Sequence, residues 1–273
     1  MTDVPDPVTA SHVRTVGSVR HAMTLLRCLA AGTPLTLSAL ARRVGLSKPA
    51  TYNLLSTLVG EQLVSRDENL RYALSWHLFE YSRAVTEAKR MTGAARRALH
   101  DLARETGGAV LVSVLDRDGV LYVDREDADI LRMRADTGLR APLHTTASGK
   151  VLLTALSTPH VDRLIESGLA AKTTATITDP RVLRRELLAT RDRGYAVCWE
   201  EQEPRLSSVA VPVLRADRSV CAAVAVAFPT MRLRSISPDR LRGRLHTAAT
   251  RIAGELAARS RGMSGGADSV SEQ

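Results

Sequence analysis

At 273 residues the chain exceeds one typical domain of roughly 100–200 residues, so two domains are the starting expectation. Its 44% hydrophobic and 25% charged residues suit a globular protein, and 3% aromatics leave its cores to Leu, Val and Ala. The net charge of +9 favours a polyanionic partner, while Cys28, Cys198 and Cys221, odd in number and lacking any Cys-x-x-Cys pair, suggest neither a disulfide framework nor a zinc site.

Residues 1–15 read as a flexible arm without a positive leader or apolar h-region. No apolar run approaches the roughly 18 residues of a membrane span, so a cytoplasmic protein with reduced thiols is expected. From Ser18, the spacing of Val19, Ala22, Met23, Leu25, Leu26 and Leu29 predicts a helix ending near Gly32. Thr33 to Thr36 form a short connector, and Leu37, Leu40, Ala41 and Val44 a second helix, capped by Thr36 or Ser38 and stopped at Gly45. After about three residues of turn, Leu46 to Leu58 predict a third helix with Ser47 as N-cap and Pro49 tolerated in the first turn. Its apolar stripe is Thr51, Leu54, Leu55 and Leu58; the opposite face, Pro49, Tyr52, Asn53 and Ser56, is polar and carries no acid.

Two strand-like runs, Gln62 to Arg66 and Leu70 to Leu74, flank Asp67-Glu68-Asn69 and complete a winged helix-turn-helix over residues 16–74. Between Arg14 and Arg66 the cations Arg14, Arg20, Arg27, Arg42, Arg43, Lys48 and Arg66 face Glu61 alone, the footprint of phosphate contacts. The expected reader of double-stranded DNA is therefore the third helix, through Ser47, Lys48, Pro49, Ala50, Tyr52, Asn53 and Ser56. Arg42 and Arg43 stand before it, and Arg66 and Arg71 on the wing.

Residues 75–90 predict a linker helix whose Leu78, Tyr81, Ala84, Val85 and Ala88 could pair with a second copy. From Met91 to 261 the texture becomes α+β, with an antiparallel sheet flanked by helices. Helices are expected over 94–105, 145–156, 159–167, 179–193 and 238–259. Strands are expected over 109–115, 120–124, 130–135, 195–199, 208–214 and 220–228, and 137–144 as a loop. Residues 262–273 form a Gly/Ser tail.

No phosphate loop, Gly-x-Ser-x-Gly elbow, His-Glu-x-x-His or Gly-x-Gly-x-x-Gly motif is present, so no enzyme, cofactor or metal is expected. Glu200, Glu201 and Glu203 with His144 could assemble an acid/base or metal site, but adjacent acids are more often solvated or ion-paired. Ser148 shows no activating base. Thr145 to Gly149 instead precede a helix, where a carboxylate is favoured, and small Ala147, Ser148 and Gly149 would let a ligand approach the backbone. A scaffold whose second domain only oligomerises would fill this region with side chains. A hydrolase or transferase would need a nucleophile–base pair that is not displayed.

Five segments follow one order: Ala39 to Lys48 (ALARRVGLSK), Pro142 to Lys150 (PLHTTASGK), Thr174 to Pro180 (TATITDP), Arg193 to Val197 (RGYAV) followed by Glu200-Glu201, and Ser208 to Val213 (SVAVPV). Across residues 14–260 the chain resembles the isocitrate-lyase-regulator (IclR) family of bacterial transcription factors. The resemblance implies a DNA-binding winged helix and a GAF-like effector domain. It also implies dimers through the DNA-binding and linker region, often paired into tetramers, and repression more often than activation. Carried over by motif position, the effector site would be Ile130, Met133, Ala141, Ala147, Ser148, Cys198, Leu206, Ser208, Ala225 and Ala227. Cys198 replaces a common Asp, Arg205 a frequent Gly, and Ala225 and Ala227 positions that can carry hydroxyls. These changes suit an apolar or aromatic organic acid better than a small oxo-acid. Asn53 stands where the family often has Arg, which implies adenine rather than guanine as its base.

Overall fold

The computed structural model describes residues 15–127 and 137–264. The strand expected over 130–135, most of the N-terminal arm and most of the tail lie outside them. The chain divides between Ala88 and Lys89 into two compact units.

The first unit is α1 (Gly17–Leu29), β1 (Leu35–Thr36), α2 (Leu37–Val44), α3 (Lys48–Gly60), β2 (Val64–Arg66) and β3 (Arg71–Leu74). Thr36 caps α2, its hydroxyl accepting from Ala39 N–H at 3.3 Å, and Gly45 ends the helix at φ 72°. The three residues Gly45 to Ser47 turn the chain into α3. Leu25, Leu29, Leu40, Leu55, Leu58, Val64 and Tyr72 form one apolar cluster, and each buried leucine contributes about 1.5–3 kcal/mol. The expected connector is a strand: Leu35 pairs with Tyr72 and Thr36 with Arg71, giving an antiparallel sheet in the order β1-β3-β2. A two-residue strand has no alternation to betray it.

The linker helix, α4 (Leu78–Lys89), starts three residues later than expected, and Trp76 just before it stacks on Phe79 of its first turn with ring centroids 5.6 Å apart. Trp76, Phe79, Tyr81 and Val85 are all exposed.

The second unit opens with α5 (Gly93–Thr106), β4 (Ala109–Asp116) and β5 (Gly119–Glu126). Next come β6 (Arg140–Pro142), a 3-10 turn (Leu143–Thr145), α6 (Ala147–Leu153), α7 (Thr158–Glu166) and α8 (Pro180–Arg193). It closes with β7 (Ala196–Trp199), β8 (Leu206–Leu214), β9 (Val220–Pro229), α9 (Thr230–Ser235) and α10 (Pro238–Ser264). The strands form one antiparallel sheet in the order β6-β5-β4-β9-β8-β7. Part of the expected 137–144 loop is thus an edge strand, with Val120 facing Ala141. The short α9 was not foreseen, and α10 runs past the expected start of the tail, since Gly262 weakens a helix without ending it.

Side-chain alternation gives the sheet two unlike faces. On one, Val110, Val112, Val209, Val211, Val224, Val226 and Phe228 pack against Leu99 and Leu102 of α5 and Leu241, Leu245 and Ile252 of α10. On the other, Ala196, Ala210, Ala223, Ala225 and Ala227 with Leu111 and Tyr122 lie under Val151 of α6 and Leu183 and Leu187 of α8. Among the described residues, no helix is long and apolar enough to cross a membrane.

Candidate functional site

In the first unit, α3 separates its faces as the spacing predicts. Ser47 Oγ accepts from Ala50 N–H at 3.3 Å, and Thr51 Oγ1 donates to the Ser47 carbonyl at 2.9 Å. Thr51, Leu55 and Leu58 are buried and Leu54 half-buried, whereas Lys48, Pro49, Tyr52, Asn53 and Ser56 are exposed and Ala50 half-buried. No acid lies on this helix, so its exposed face offers donors and acceptors without repelling phosphate. Ser47, Arg42 and Arg43 are exposed, the two arginines in the last turn of α2. Arg66 and Arg71 are exposed on the wing, where the Arg66 guanidinium lies 5.6 Å from the centroid of its cross-strand partner Tyr72. Asp67 Oδ1 accepts from Arg71 N–H at 2.8 Å and closes the turn between β2 and β3.

The second unit carries a partly open cavity of about 90 Å³ on the alanine face of the sheet. Its floor follows from register. Cys198, Ser208 and Ala227 stand side by side across β7, β8 and β9, as do Ala196, Ala210, Ala225 and Leu111 across β7, β8, β9 and β4. Rows of such small side chains leave the space below α6 unfilled. Seven of the ten residues carried over by motif line it: Ala141, Ser148, Cys198, Leu206, Ser208, Ala225 and Ala227. Ala147 does not; it is fully buried in the apolar cluster around α6. Ile130 and Met133 lie outside the described residues.

Eight further residues, outside the motif carry-over, line it: Leu111, Tyr122, Leu139, Arg140, Thr146, Gln202, Glu203 and Ser207. Arg140 is ion-paired with Asp116, and one of its N–H groups also donates to the Asp116 carbonyl at 3.1 Å. The alternation of β9, with Val224, Val226 and Phe228 on one face and Ala223, Ala225 and Ala227 on the other, was the available signal for a hollow.

The approach to α6 is built differently from the expectation. The helix stops at Leu153, and Thr146 caps it by accepting from Gly149 N–H at 3.0 Å. Gly149 does not line the cavity; a Cβ there would sit 2.1 Å from the Leu143 carbonyl oxygen. Its missing side chain admits the protein's own turn, not a ligand. Ser148 Oγ accepts from Ser113 Oγ at 3.0 Å, which leaves the Ser148 proton to be donated toward the cavity.

The titratable groups here argue against nucleophilic chemistry. Burial first, and Glu201 second, push the Cys198 thiol up to about 11, and Cys198 Sγ donates to the Thr145 carbonyl at 3.1 Å. Burial, with Cys198 behind it, raises the Tyr122 hydroxyl to about 12, so it stays protonated and can donate. His144 is lowered chiefly by burial, and its Nε2 meets the Ala170 carbonyl at 3.1 Å. Glu201 is buried rather than solvated and is paired with Lys150, and no group of three or more His, Cys, Asp or Glu side chains placed to hold a metal ion occurs among the described residues.

Two family profiles match the chain: the IclR helix-turn-helix domain over residues 18–68 and the bacterial transcriptional regulator IclR C-terminal domain over residues 83–254. The chain is 32% identical over 248 residues to the HTH-type transcriptional regulator KdgR of Escherichia coli (strain K12), covering 88% of this chain and 93% of that one. It is similar to the crystal structure of an IclR transcriptional regulator from Alicyclobacillus acidocaldarius, with TM-score 0.76 and 28% identity over 88% and 98% of the two chains. An IclR homologue from Microbacterium hydrocarbonoxydans, solved as a complex with 4-hydroxybenzoate, shares the fold at TM-score 0.72 and 21% identity, covering 88% and 99%. The chain belongs to the IclR family of bacterial transcriptional regulators.

Proposed function

We propose that the protein is a sequence-specific repressor whose affinity for a double-stranded operator is set by a small organic acid held in the second unit. The carrying observation is the cavity on the alanine face, in a chain whose α3 displays an acid-free polar face. A scaffold would have filled that space, and an enzyme would have placed a base near Ser148, whose neighbour is the Ser113 hydroxyl.

Two protonated hydroxyls, Ser148 and Tyr122, suit a carboxylate or another acceptor, while Leu111, Leu139, Leu206, Ala225 and Ala227 suit an apolar body. An aromatic acid therefore fits better than glyoxylate or pyruvate. The ligand complex of the Microbacterium homologue is consistent with that class. The exposed Tyr81 and Val85, one turn apart on the same side of α4, support pairing with a second copy. Two paired reading helices would need half-sites about 34–36 Å apart or a multiple of that, so a small reorientation on ligand binding changes affinity.

Selection of genomic fragments by the purified chain, repeated with and without acid, tests the DNA half. Isothermal titration with glyoxylate, pyruvate and a set of aromatic acids tests the ligand half. Micromolar binding of an aromatic acid that also lowers operator affinity is expected. Tight binding of glyoxylate alone would overturn the ligand class.

A further inference from the structure

Next to the cavity-lining residues Ser148 and Gln202 in the chain lies a buried charge pair that does not itself line the cavity. Lys150 of α6 is 1% exposed and is among the largest fully buried side chains of the described residues. Its Nζ donates to Glu201 Oε1 at 2.5 Å and to the Val197 carbonyl at 3.0 Å, with Glu186 of α8 at 3.9 Å. Glu201 is 4% exposed; its Oε1 also accepts from Trp199 N–H at 3.4 Å, and its buried Oε2 has no hydrogen-bond partner among the described residues. Burial pushes the Glu201 carboxyl up against the pull of Lys150. Desolvating two charges offsets most of their attraction, and apolar residues of similar size often serve stability as well. The arrangement is better accounted for by the geometry that it imposes.

That geometry concerns the cavity. Lys150 follows Ser148 by two residues, and Glu201 directly precedes Gln202 and Glu203; Ser148, Gln202 and Glu203 all line the space. The turn between β7 and β8 is irregular, with Glu200 at φ 56° and Arg205 at φ 63°. It is held from outside by Thr173 Oγ1 donating to the Glu200 carbonyl and Thr176 Oγ1 to the Glu201 carbonyl, each at 2.7 Å. Thr145 Oγ1 donates to Gln202 Oε1 at 2.5 Å. Lys150 supplies the inner tether, and it comes from the helix that carries Ser148.

We propose that Lys150 and Glu201 are a positioning pair, fastening the 200–203 turn to α6 so that Gln202 and Ser148 meet a ligand at fixed separation. The pair touches no ligand itself, and the inference rests on the effector reading of the cavity.

The test uses the full chain, the double variant Lys150→Met/Glu201→Leu and the single variant Glu201→Gln. Thermal unfolding, amide hydrogen exchange over residues 200–205 and titration with benzoate as the probe are read together. The double variant is expected to keep its Tm, to exchange at 200–205 at least tenfold faster while β8 and β9 stay protected, and to bind benzoate at least tenfold more weakly. Glu201→Gln should move exchange and affinity in the same direction, and it decides the matter if the double variant does not fold. Unchanged exchange and unchanged affinity in a folded variant would overturn the proposal. If the unaltered chain binds no benzoate, the proposed ligand class fails. Exchange alone then decides the pair: tenfold faster supports it, unchanged refutes it.

Discussion

The two faces of the six-stranded sheet use the same strands to opposite ends. Along β9, Val224, Val226 and Phe228 point into a solid core with α5 and α10, while Ala223, Ala225 and Ala227 point toward α6 and α8. The backbone and the pairing are shared, so only side-chain volume differs. Where Val and Phe fill the layer the packing closes; where Ala and Ser stand in register across β7, β8 and β9, about 90 Å³ is left over. The cavity is a volume deficit confined to one phase of a two-residue alternation. Helix α3 repeats the contrast at a period of 3.6, with Leu55 and Leu58 inward and Asn53 and Ser56 outward.

The contrast breaks most severely on the filled face. Phe228 is fully buried, and Phe228→Ala should cost about 3–5 kcal/mol, because the ring's contacts are lost and the rigid layer collapses only in part. Urea unfolding followed by circular dichroism would measure it; a loss below about 1 kcal/mol would mean that this face is not close-packed. Gly149→Ala ranks next, at about 3 kcal/mol, since its methyl would meet the backbone of Leu143, which cannot rotate away. The same unfolding curve checks it, and an unchanged midpoint would mean that the turn before α6 is looser than its contacts imply.

How much of this was legible depended on whether a residue's role is local. Helix α3 could be found because Ser47, Pro49 and the leucine stripe all act within one or two turns, and Ser47 caps it as expected. Strand β1 was hidden because its partner, β3, lies some 35 residues on and two residues carry no period. In the cavity, Ser148 and Cys198 lie in recognisable segments. Tyr122 and Arg140 line it only because β5 and β6 pair across the sheet, which no local pattern announces. Glu201 was read as one of several adjacent acids, and nothing near it in sequence points to Lys150, 51 residues earlier. Gly149 was read as room for a ligand, when it is room for Leu143.

Adding volume on the hollow face should do the reverse of removing it from the filled one. Ala225→Val places two methyl groups on the cavity floor, where they meet space rather than neighbours, so stability should change by less than about 1 kcal/mol. Affinity for an aromatic acid should fall at least tenfold, about 1.4 kcal/mol. Titration calorimetry and thermal unfolding of one preparation would separate the two effects. A large loss of stability with binding intact would mean that the space is not where the ligand sits.

On α3 the informative quantity is less the size of an effect than its dependence on sequence and salt. Asn53, exposed mid-helix, can pair with adenine N6 and N7, so Asn53→Ala should weaken operator binding by about 1–3 kcal/mol and relax preference at one base pair. Lys48→Ala, at the exposed start of the same helix, should weaken operator and random DNA alike and lower the salt slope by about one unit, because it removes a phosphate contact and no base contact. Anisotropy titrations at several salt concentrations distinguish them. Equal losses on operator and random DNA for Asn53→Ala would move that residue from the base-reading set to the phosphate set. The outward face of α3 would then act through charge and shape alone, and specificity would have to be sought in the wing at Arg66 and Arg71.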